Sequence, residues 1–190
     1  SCFPKDVLAL KQLAVEHEYA FRILEAVETV NHAQKEILLT KLENYYDDEL
    51  EGKHFAVWGL AFKPDTDDIR EAPSLVIIEK LLAAGATVSA YDPEAMSNVE
   101  KAMRGQAGFE LTANQYDALE DADALLILTE WPQFKSPNWN KVDELMDAKV
   151  IFDGRNIYSP LAMEQRGYYY ESIGRRIVQE EARATQAAIR

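Results

Sequence analysis

The first six residues of the chain, SCFPKD, bring together three side chains that can do chemistry. The only cysteine, Cys2, is followed by Lys5 and Asp6, and Pro4 predicts the first turn of a helix. The positive end of that helix and the Lys5 ammonium group would both stabilise a thiolate, and Asp6 could act as a base or orient a water molecule. A lone cysteine is also often a small buried hydrophobe, so these residues alone leave both interpretations open.

Three cations stand near the ends of predicted strands or the start of a predicted helix. Lys63 follows one strand, Arg155 closes another, and Arg70 precedes a helix. Ligands of open α/β sheets bind outside the carboxyl ends of the strands, and arginine can contact a phosphate through two nitrogens. In a chain with a net charge of −13, three cations so placed favour a phosphate or diphosphate site over isolated surface charges.

The segment after the first predicted strand, GLAFKPDTDDIRE (59–71), contains a single glycine, Gly59. It lacks the G-x-G-x-x-G pattern that usually holds a dinucleotide pyrophosphate, so we do not expect it to bind one in that manner. Its acidic residues lack the spacing of a calcium loop, and we expect them to cap turns and the next helix rather than bind a metal. Asp92, at the end of the next strand, either contacts a ribose hydroxyl or caps the turn before Pro93.

Beyond residue 53, short apolar runs alternate with amphipathic stretches. This alternation predicts a Rossmann-like α/β fold, in which a doubly wound, mainly parallel sheet is covered by helices on both faces. The predicted strands cover residues 54–62, 86–93, 123–129, 149–155 and 168–175. Helices are predicted over residues 72–85 and 94–105, with a short one at 116–119.

Residues 1–50 contain no glycine and, after Pro4, no proline, and they are predicted to be helical. From Ala20 onward, apolar residues recur at helical spacing and form one stripe. Asn31 and Gln34 interrupt that stripe. They mark either an exposed edge or a helix–helix or subunit seam in which buried amides fix the register. A long helix outside any compact unit favours the seam, and residues 43–53 are predicted to form a polar connection.

Composition excludes several classes of protein. Apolar residues make up 47% of the 190 residues, enough for a hydrophobic core, and the acidic balance disfavours a nucleic-acid-binding surface. One cysteine cannot form an internal disulfide, and the sequence has neither a membrane-spanning apolar run nor a signal peptide. We therefore expect a soluble cytoplasmic protein with a helical segment (1–50), a sheet domain (51–175) and a charged tail (176–190).

Two long motifs, SCFPKDVLAL (1–10) and GLAFKPDTDDIREAPS (59–74), resemble the UDP-glucose dehydrogenase family of nucleotide-sugar dehydrogenases. Shorter matches occur in the family's order: VNHAQK (30–35), YDP (91–93), LTEWPQF (128–134), DGRN (153–156) and GYYYESIGR (167–175). The resemblance therefore covers nearly the whole chain. Phe3 favours the UDP-glucose branch over the GDP-mannose branch, where leucine is usual.

The resemblance implies an enzyme that oxidises the primary alcohol of UDP-glucose to the carboxylate of UDP-glucuronate in two NAD-dependent hydride transfers. It implies that Cys2 is the nucleophile, which holds the aldehyde as a thiohemiacetal and then as a thioester. Asp6 matches the acid that activates or positions the hydrolytic water.

The same resemblance assigns binding roles and an assembly. Lys5 and Arg70 match residues that lie near the NAD in the family. Phe62, Lys63 and Arg155 match residues that contact the UDP-sugar. In the family, a long central helix joins two Rossmann-like domains and forms the dimer interface. Here that helix corresponds to about residues 20–42, so the resemblance implies a homodimer with Asn31 and Gln34 in its seam.

Two parts of the family pattern have no counterpart in these 190 residues. One is the amino-terminal NAD-binding domain with its G-x-G-x-x-G loop, and the other is the segment that supplies a catalytic lysine, asparagine and glutamate. The resemblance therefore implies a carboxy-terminal portion that does not complete catalysis alone. Two alternatives stay open: the GDP-mannose or UDP-N-acetylhexosamine branch of the family, or a non-catalytic nucleotide-sugar-binding or dimerisation module.

Overall fold

The computed structural model describes residues 2–178, and at residues 2–5 and 8 it describes the backbone alone. Most of the predicted charged tail therefore lies outside the described residues. Its first part does not: Val178 forms an isolated antiparallel bridge with Tyr170, so the described chain stays attached to the sheet beyond residue 175.

Six strands form one sheet in the order β3-β2-β1-β4-β5-β6, and every pairing between them is parallel. The strands are β1 (His54–Trp58), β2 (Thr87–Tyr91), β3 (Phe109–Leu111), β4 (Ala124–Ile127), β5 (Val150–Asp153) and β6 (Tyr169–Ser172). This doubly wound arrangement confirms the predicted fold class. The edge strand β3 was not predicted, because three residues are too few to show a periodicity.

Within residues 2–178, six α-helices accompany the sheet: α1 (Cys2–Glu16), α2 (Arg22–Tyr45), α3 (Pro73–Ala83), α4 (Met96–Ala102), α5 (Trp139–Leu145) and α6 (Pro160–Arg166). Single 3-10 turns occur at Asp117–Leu119 and Pro132–Phe134. The sequence did not predict α5 and α6, which are seven residues each. For α6, however, the sequence contains the usual signals of a helix start and a helix end. The helix begins at a proline, and it ends before Gly167, which has the left-handed conformation (φ 80°).

The second half of α2 packs on the sheet. Leu38, Leu39, Leu42 and Tyr45 are buried, and the Tyr45 ring lies 5.8 Å from that of Phe152 in β5. The prediction of a polar connection over 43–53 was therefore wrong at its start, because the helix continues through residue 45 and its last turn belongs to the core.

The first half of α2 has a different environment. Ile23 and Val30 are 71% and 66% exposed, and Asn31 and Gln34 are exposed as well. An ion pair between Lys11 and Glu28 joins this half of the helix to α1. Within the described chain the predicted apolar stripe is thus fully buried only toward the carboxyl end of α2.

Candidate functional site

The direction in which successive strands are added to the sheet reverses between β1 and β4. From β1 the chain proceeds to β2 and β3 on one side, and from β4 it proceeds to β5 and β6 on the other. In open α/β sheets this switch point opens a crevice at the carboxyl ends of the strands, where ligands bind. The loops that follow β1, β4 and β5 border this crevice.

A cavity of about 350 Å³ lies beside this switch point, between α2 and the ends of β4 and β5. Most of its wall is apolar. Its polar or charged lining residues are Asn31, Gln34, Lys35, Glu71 and Arg155, and its apolar lining includes Phe62, Leu38, Ile77 and Leu128. An apolar cleft with a few placed polar groups is the usual form of a small-molecule site.

Phe62 reaches the cavity from the β1–α3 loop (residues 59–72), whose path is set by close packing. Gly59 has a φ of +94°, and a Cβ there would lie 2.5 Å from the backbone nitrogen of Thr129. The Thr129 hydroxyl donates to the Ala61 carbonyl at 2.6 Å, and the Phe62 amide donates to the Asp68 carbonyl at 2.9 Å. Only glycine suits position 59, and the loop leaves β1 in a fixed direction.

Asp92 is fully buried at the end of β2 and has a structural function. Its carboxylate accepts hydrogen bonds from the backbone amides of Leu60 (2.7 Å), Ala61 (2.9 Å), Glu94 (2.9 Å) and Ala95 (2.8 Å). It also accepts one from the indole of Trp131 at 3.0 Å. Of the two interpretations of Asp92, the turn cap is the one that these contacts support, since the carboxylate ties three loops together.

These contacts also test whether the sheet suits a dinucleotide. In a usual Rossmann site, the amides of the first βα turn bind the pyrophosphate. Here the amides of Leu60 and Ala61 are already bound to Asp92. The described residues of this turn therefore do not fit NAD.

Arg155 reaches the cavity from the end of β5. The buried Asp153 carboxylate accepts hydrogen bonds from the Arg155 amide (2.9 Å), the Tyr158 amide (3.1 Å) and the Tyr170 hydroxyl (2.8 Å). The Arg155 guanidinium pairs through Nε with the carboxylate of Glu130, the residue that follows Thr129 after β4. This hydrogen bond is the main reason that the pKa of Glu130 lies below its usual value, against the opposing effect of burial.

Lys63 and Arg70 do not line this cavity. Lys63 is exposed. Arg70 forms a two-nitrogen contact with Asp68, with Nε at 2.8 Å and Nη2 at 2.6 Å from the carboxylate oxygens, and its side chain is 61% exposed. The structure thus brings together two of the four predicted binding residues described with side chains, Phe62 and Arg155, and places the other two on the outside of the same loop.

The predicted catalytic residues belong to α1. Cys2 and Lys5 lie in the first turns of this helix, but their side chains are outside the described set. Asp6 is exposed. The catalytic roles of Cys2 and Asp6 and the cofactor-binding role of Lys5 consequently remain predictions from the motif.

No metal centre is evident in the part of the chain that the structure describes, where no three His, Cys, Asp or Glu side chains are grouped to hold an ion. The acidic residues after β1 bond to nearby protein groups instead, as Asp68 does with Arg70 and Asp67 with the Asn98 amide at 3.0 Å. None of the helices in residues 2–178 combines the length and the apolar character that a membrane span requires.

The family model of the UDP binding domain of the UDP-glucose/GDP-mannose dehydrogenases matches residues 56–160, which include Phe62, Asp92, Glu130 and Arg155. The chain belongs to this family. The match begins within β1 and ends at the start of α6, so it contains the loops after β1, β4 and β5, whereas the α2 side of the cavity lies outside it.

Individual family members align over nearly the whole chain. The UDP-glucose 6-dehydrogenase of Pseudomonas aeruginosa is 46% identical over 92% of this chain and 39% of its own length. TuaD of Bacillus subtilis, also a UDP-glucose 6-dehydrogenase, is 44% identical over 92% of this chain and 37% of its own length. The chain thus spans about two fifths of the length of these curated relatives.

Solved structures of the family share the fold. A UDP-glucose dehydrogenase from Pyrobaculum islandicum superposes with a TM-score of 0.71 at 32% identity, covering 83% of this chain and 34% of the other. An NDP-N-acetyl-D-galactosaminuronic acid dehydrogenase from Methanosarcina mazei gives a TM-score of 0.64 at 28% identity, covering 82% and 32%.

Sequence reasoning missed Lys35 and Glu71 as residues of this site. They form an ion pair that joins α2 to the β1–α3 loop, and both line the cavity. The signal was the family motif VNHAQK (30–35), which also contains Asn31 and Gln34. It was interpreted as part of a helix seam, because a sequence does not show that α2 passes over the end of the sheet.

Proposed function

We propose that this chain is the UDP-sugar-binding portion of an NAD-dependent UDP-glucose 6-dehydrogenase, which converts UDP-glucose to UDP-glucuronate. One observation carries the proposal: Phe62 and Arg155, two of the three motif residues matched to substrate contacts, line one cavity at the switch point of the sheet. Both lie within the segment that matches the family's UDP binding domain.

The substrate-binding roles follow from the side-chain chemistry. Phe62 offers an apolar face to a ring or a sugar, and the Arg155 guanidinium can bind a diphosphate through two nitrogens. Lys63 follows Phe62 directly and is exposed, so its ammonium group is free to turn toward a bound anion. A flexible lysine supplies charge to a phosphate without fixed geometry.

The oxidation uses Cys2 and Asp6 in the complete enzyme. The Cys2 thiolate adds to the sugar aldehyde and gives a thiohemiacetal, which still carries a hydride on the same carbon. Loss of that hydride leaves a thioester. A water molecule positioned by Asp6 attacks the thioester carbonyl, which releases the carboxylate and regenerates the thiol after proton transfer.

When bound, NAD supplies the hydride acceptor. Because the turn after β1 does not fit a dinucleotide, we assign NAD binding to regions of the complete enzyme other than this sheet, in line with relatives whose matched part is about two fifths of their length. Lys5 and Arg70 are proposed to lie next to that cofactor. The exposed Arg70 suits a surface that faces another domain.

We further propose a homodimer that forms through the first half of α2, where Ile23 and Val30 are exposed at helical spacing.

Among the branches of the family, the curated relatives at 46% and 44% identity favour UDP-glucose as the sugar nucleotide. The NDP-N-acetyl-D-galactosaminuronic acid dehydrogenase of Methanosarcina mazei has a lower identity to this chain, 28%.

The test is calorimetric titration of this chain with UDP, UDP-glucose and NAD. We expect weak but saturable binding of both uridine ligands and no measurable binding of NAD. Arg155→Gln should weaken UDP binding about tenfold or more, since charge-assisted hydrogen bonds to the phosphates are lost. The matched control, Arg104→Gln, removes an exposed arginine beyond α4 and should leave binding unchanged.

Two results would contradict the proposal. Tight NAD binding by this chain would show that the sheet is a dinucleotide domain. Equal UDP affinities of the unmodified chain and the Arg155→Gln variant would place the uridine nucleotide elsewhere.

A further inference from the structure

The Glu130–Arg155 ion pair uses one side of the guanidinium group only. Its contact runs through Nε, and within residues 2–178 no other hydrogen bond or ion pair of the Arg155 side chain is found. A guanidinium carries five N–H donors in one rigid plane, so the four on the terminal nitrogens stay available. A phosphate can therefore be bound by the terminal nitrogens while Glu130 keeps its place.

The backbone of Arg155 is fixed independently of Glu130. Its amide donates to the buried Asp153, and a Cβ on Gly154 would meet the Ile127 carbonyl oxygen at 3.1 Å and Leu38 at 3.3 Å. With the backbone held in this way, the remaining freedom of Arg155 lies in its long side chain. Ordering a long side chain costs rotamer entropy. If the Arg155 side chain is already restricted before the ligand binds, that cost no longer weakens binding.

Glu130 is well placed to impose that restriction. It follows β4, the strand next to β5, so both partners of the pair project from adjacent strand ends. The Arg155 and Glu130 side chains are 33% and 30% exposed, so the pair is partly shielded from solvent, and Arg155 lines the cavity. A glutamate is charged at neutral pH, and the pKa of Glu130, lowered by its hydrogen bond to Arg155, keeps the pair charged into a more acidic range.

From this geometry we propose that Glu130 is a positioning residue, which holds the Arg155 guanidinium oriented toward the diphosphate of the substrate. The inference rests on the proposed function, because it requires Arg155 to bind the nucleotide. It differs from a competing role, in which Glu130 occupies the anion site of Arg155 until the nucleotide displaces it. Positioning predicts that loss of the Glu130 charge weakens binding, whereas competition predicts that it strengthens binding.

The experiment is a double-mutant cycle measured by calorimetry with UDP. Glu130→Gln should weaken UDP binding about three- to tenfold, in the range of a partly exposed ion pair. In an Arg155→Gln background the same substitution should have no further effect, because the group that it positions is gone. As a matched control, Glu164→Gln breaks the exposed ion pair between Glu164 and Arg176. It should leave the UDP affinity unchanged in both the unmodified and the Arg155→Gln background.

A merely structural role of Glu130 would act differently. It would lower the melting temperature and would weaken binding equally in both backgrounds, and that result would overturn the inference. Unchanged or tighter UDP binding by Glu130→Gln would also overturn it. If Glu130→Gln does not fold, the cycle is run with Glu130→Asp, which keeps the charge on a shorter side chain and should again act only when Arg155 is present.

The outcomes separate this inference from the function on which it rests. If Arg155→Gln alone leaves UDP affinity unchanged, the proposed function fails. If Arg155→Gln weakens binding and Glu130→Gln does not, the nucleotide site stands and only the positioning role of Glu130 is lost.

Discussion

The two halves of α2 have the same helical geometry but different surroundings. Residues 38–45 pack their apolar side chains on the sheet, with Leu42 fully buried, whereas Ile23 and Val30 in the first half are mostly exposed. The contrast extends to the whole chain. Of the seven large hydrophobic residues found exposed among the described residues, six lie in α1, α2 and the link between them: Leu10, Leu13, Val15, Tyr19, Ile23 and Val30.

This difference separates two kinds of apolar surface. The sheet and the helices that cover it, residues 54–178 with the end of α2, bury nearly all of their large apolar side chains within this chain. In the helical segment, several large apolar side chains of residues 9–37, among them Leu13, Ile23 and Val30, are exposed, as on surfaces that another protein covers. We therefore expect stability to depend mainly on the first region, and chemistry and association on the second, while the proposed nucleotide cavity takes residues from both.

The largest expected effect separates chemistry from binding. In the complete enzyme, Cys2→Ser should lower the rate of UDP-glucuronate formation more than about 1,000-fold, because a serine hydroxyl is a far weaker nucleophile than a thiolate. UDP affinity, measured by calorimetry on the same variant, should stay within about twofold of the unmodified enzyme, since Cys2 lies in α1 whereas the proposed nucleotide site lies between α2 and the sheet. Near-normal turnover of Cys2→Ser would refute its assignment as the nucleophile.

A smaller effect on stability should distinguish the two halves of α2. Leu42→Ala removes a fully buried side chain and should lower the free energy of unfolding by about 2–5 kcal/mol. Val30→Ala, in the same helix but 66% exposed, should change it by less than about 0.5 kcal/mol. Urea denaturation at low protein concentration measures both variants, and similar losses would show that the first half of the helix is part of the same core.

The sequence alone predicted the doubly wound sheet, because its strands are either strongly apolar or bounded by turn residues. Leu125, Leu126 and Ile127 in β4 form such a run, and the sequence around Pro73 and Gly85 marked the limits of α3. The short β3 and α5 gave no comparable signal. Nor could periodicity show where α2 leaves the core, since an internal seam and a subunit interface require the same apolar spacing.

For the site, the rule of strand ends pointed to Arg155 and the family resemblance pointed to Phe62, and the structure places both in one cavity. Neither argument determined the direction of every side chain. Arg70 comes from the same loop as Phe62, yet a nearby partner, Asp68, holds it outside the cavity. Lys35 was missed for the opposite reason. It lies 36 residues before its partner Glu71, and only the packing of α2 on α3 brings the two together.

The smallest effect tests whether the exposed half of α2 is an interface between two copies of the chain. Val30→Asp places a charge in the middle of the proposed contact and should raise the dimer dissociation constant about tenfold, without lowering monomer stability. Sedimentation velocity over a concentration series measures this constant. The matched control is Leu161→Asp, which alters an exposed apolar residue on α6, 58% exposed, and should leave association unchanged. If the unmodified chain is monomeric at all concentrations tested, the apolar face of α2 is not a contact between two copies of this chain, and the proposed homodimer is wrong.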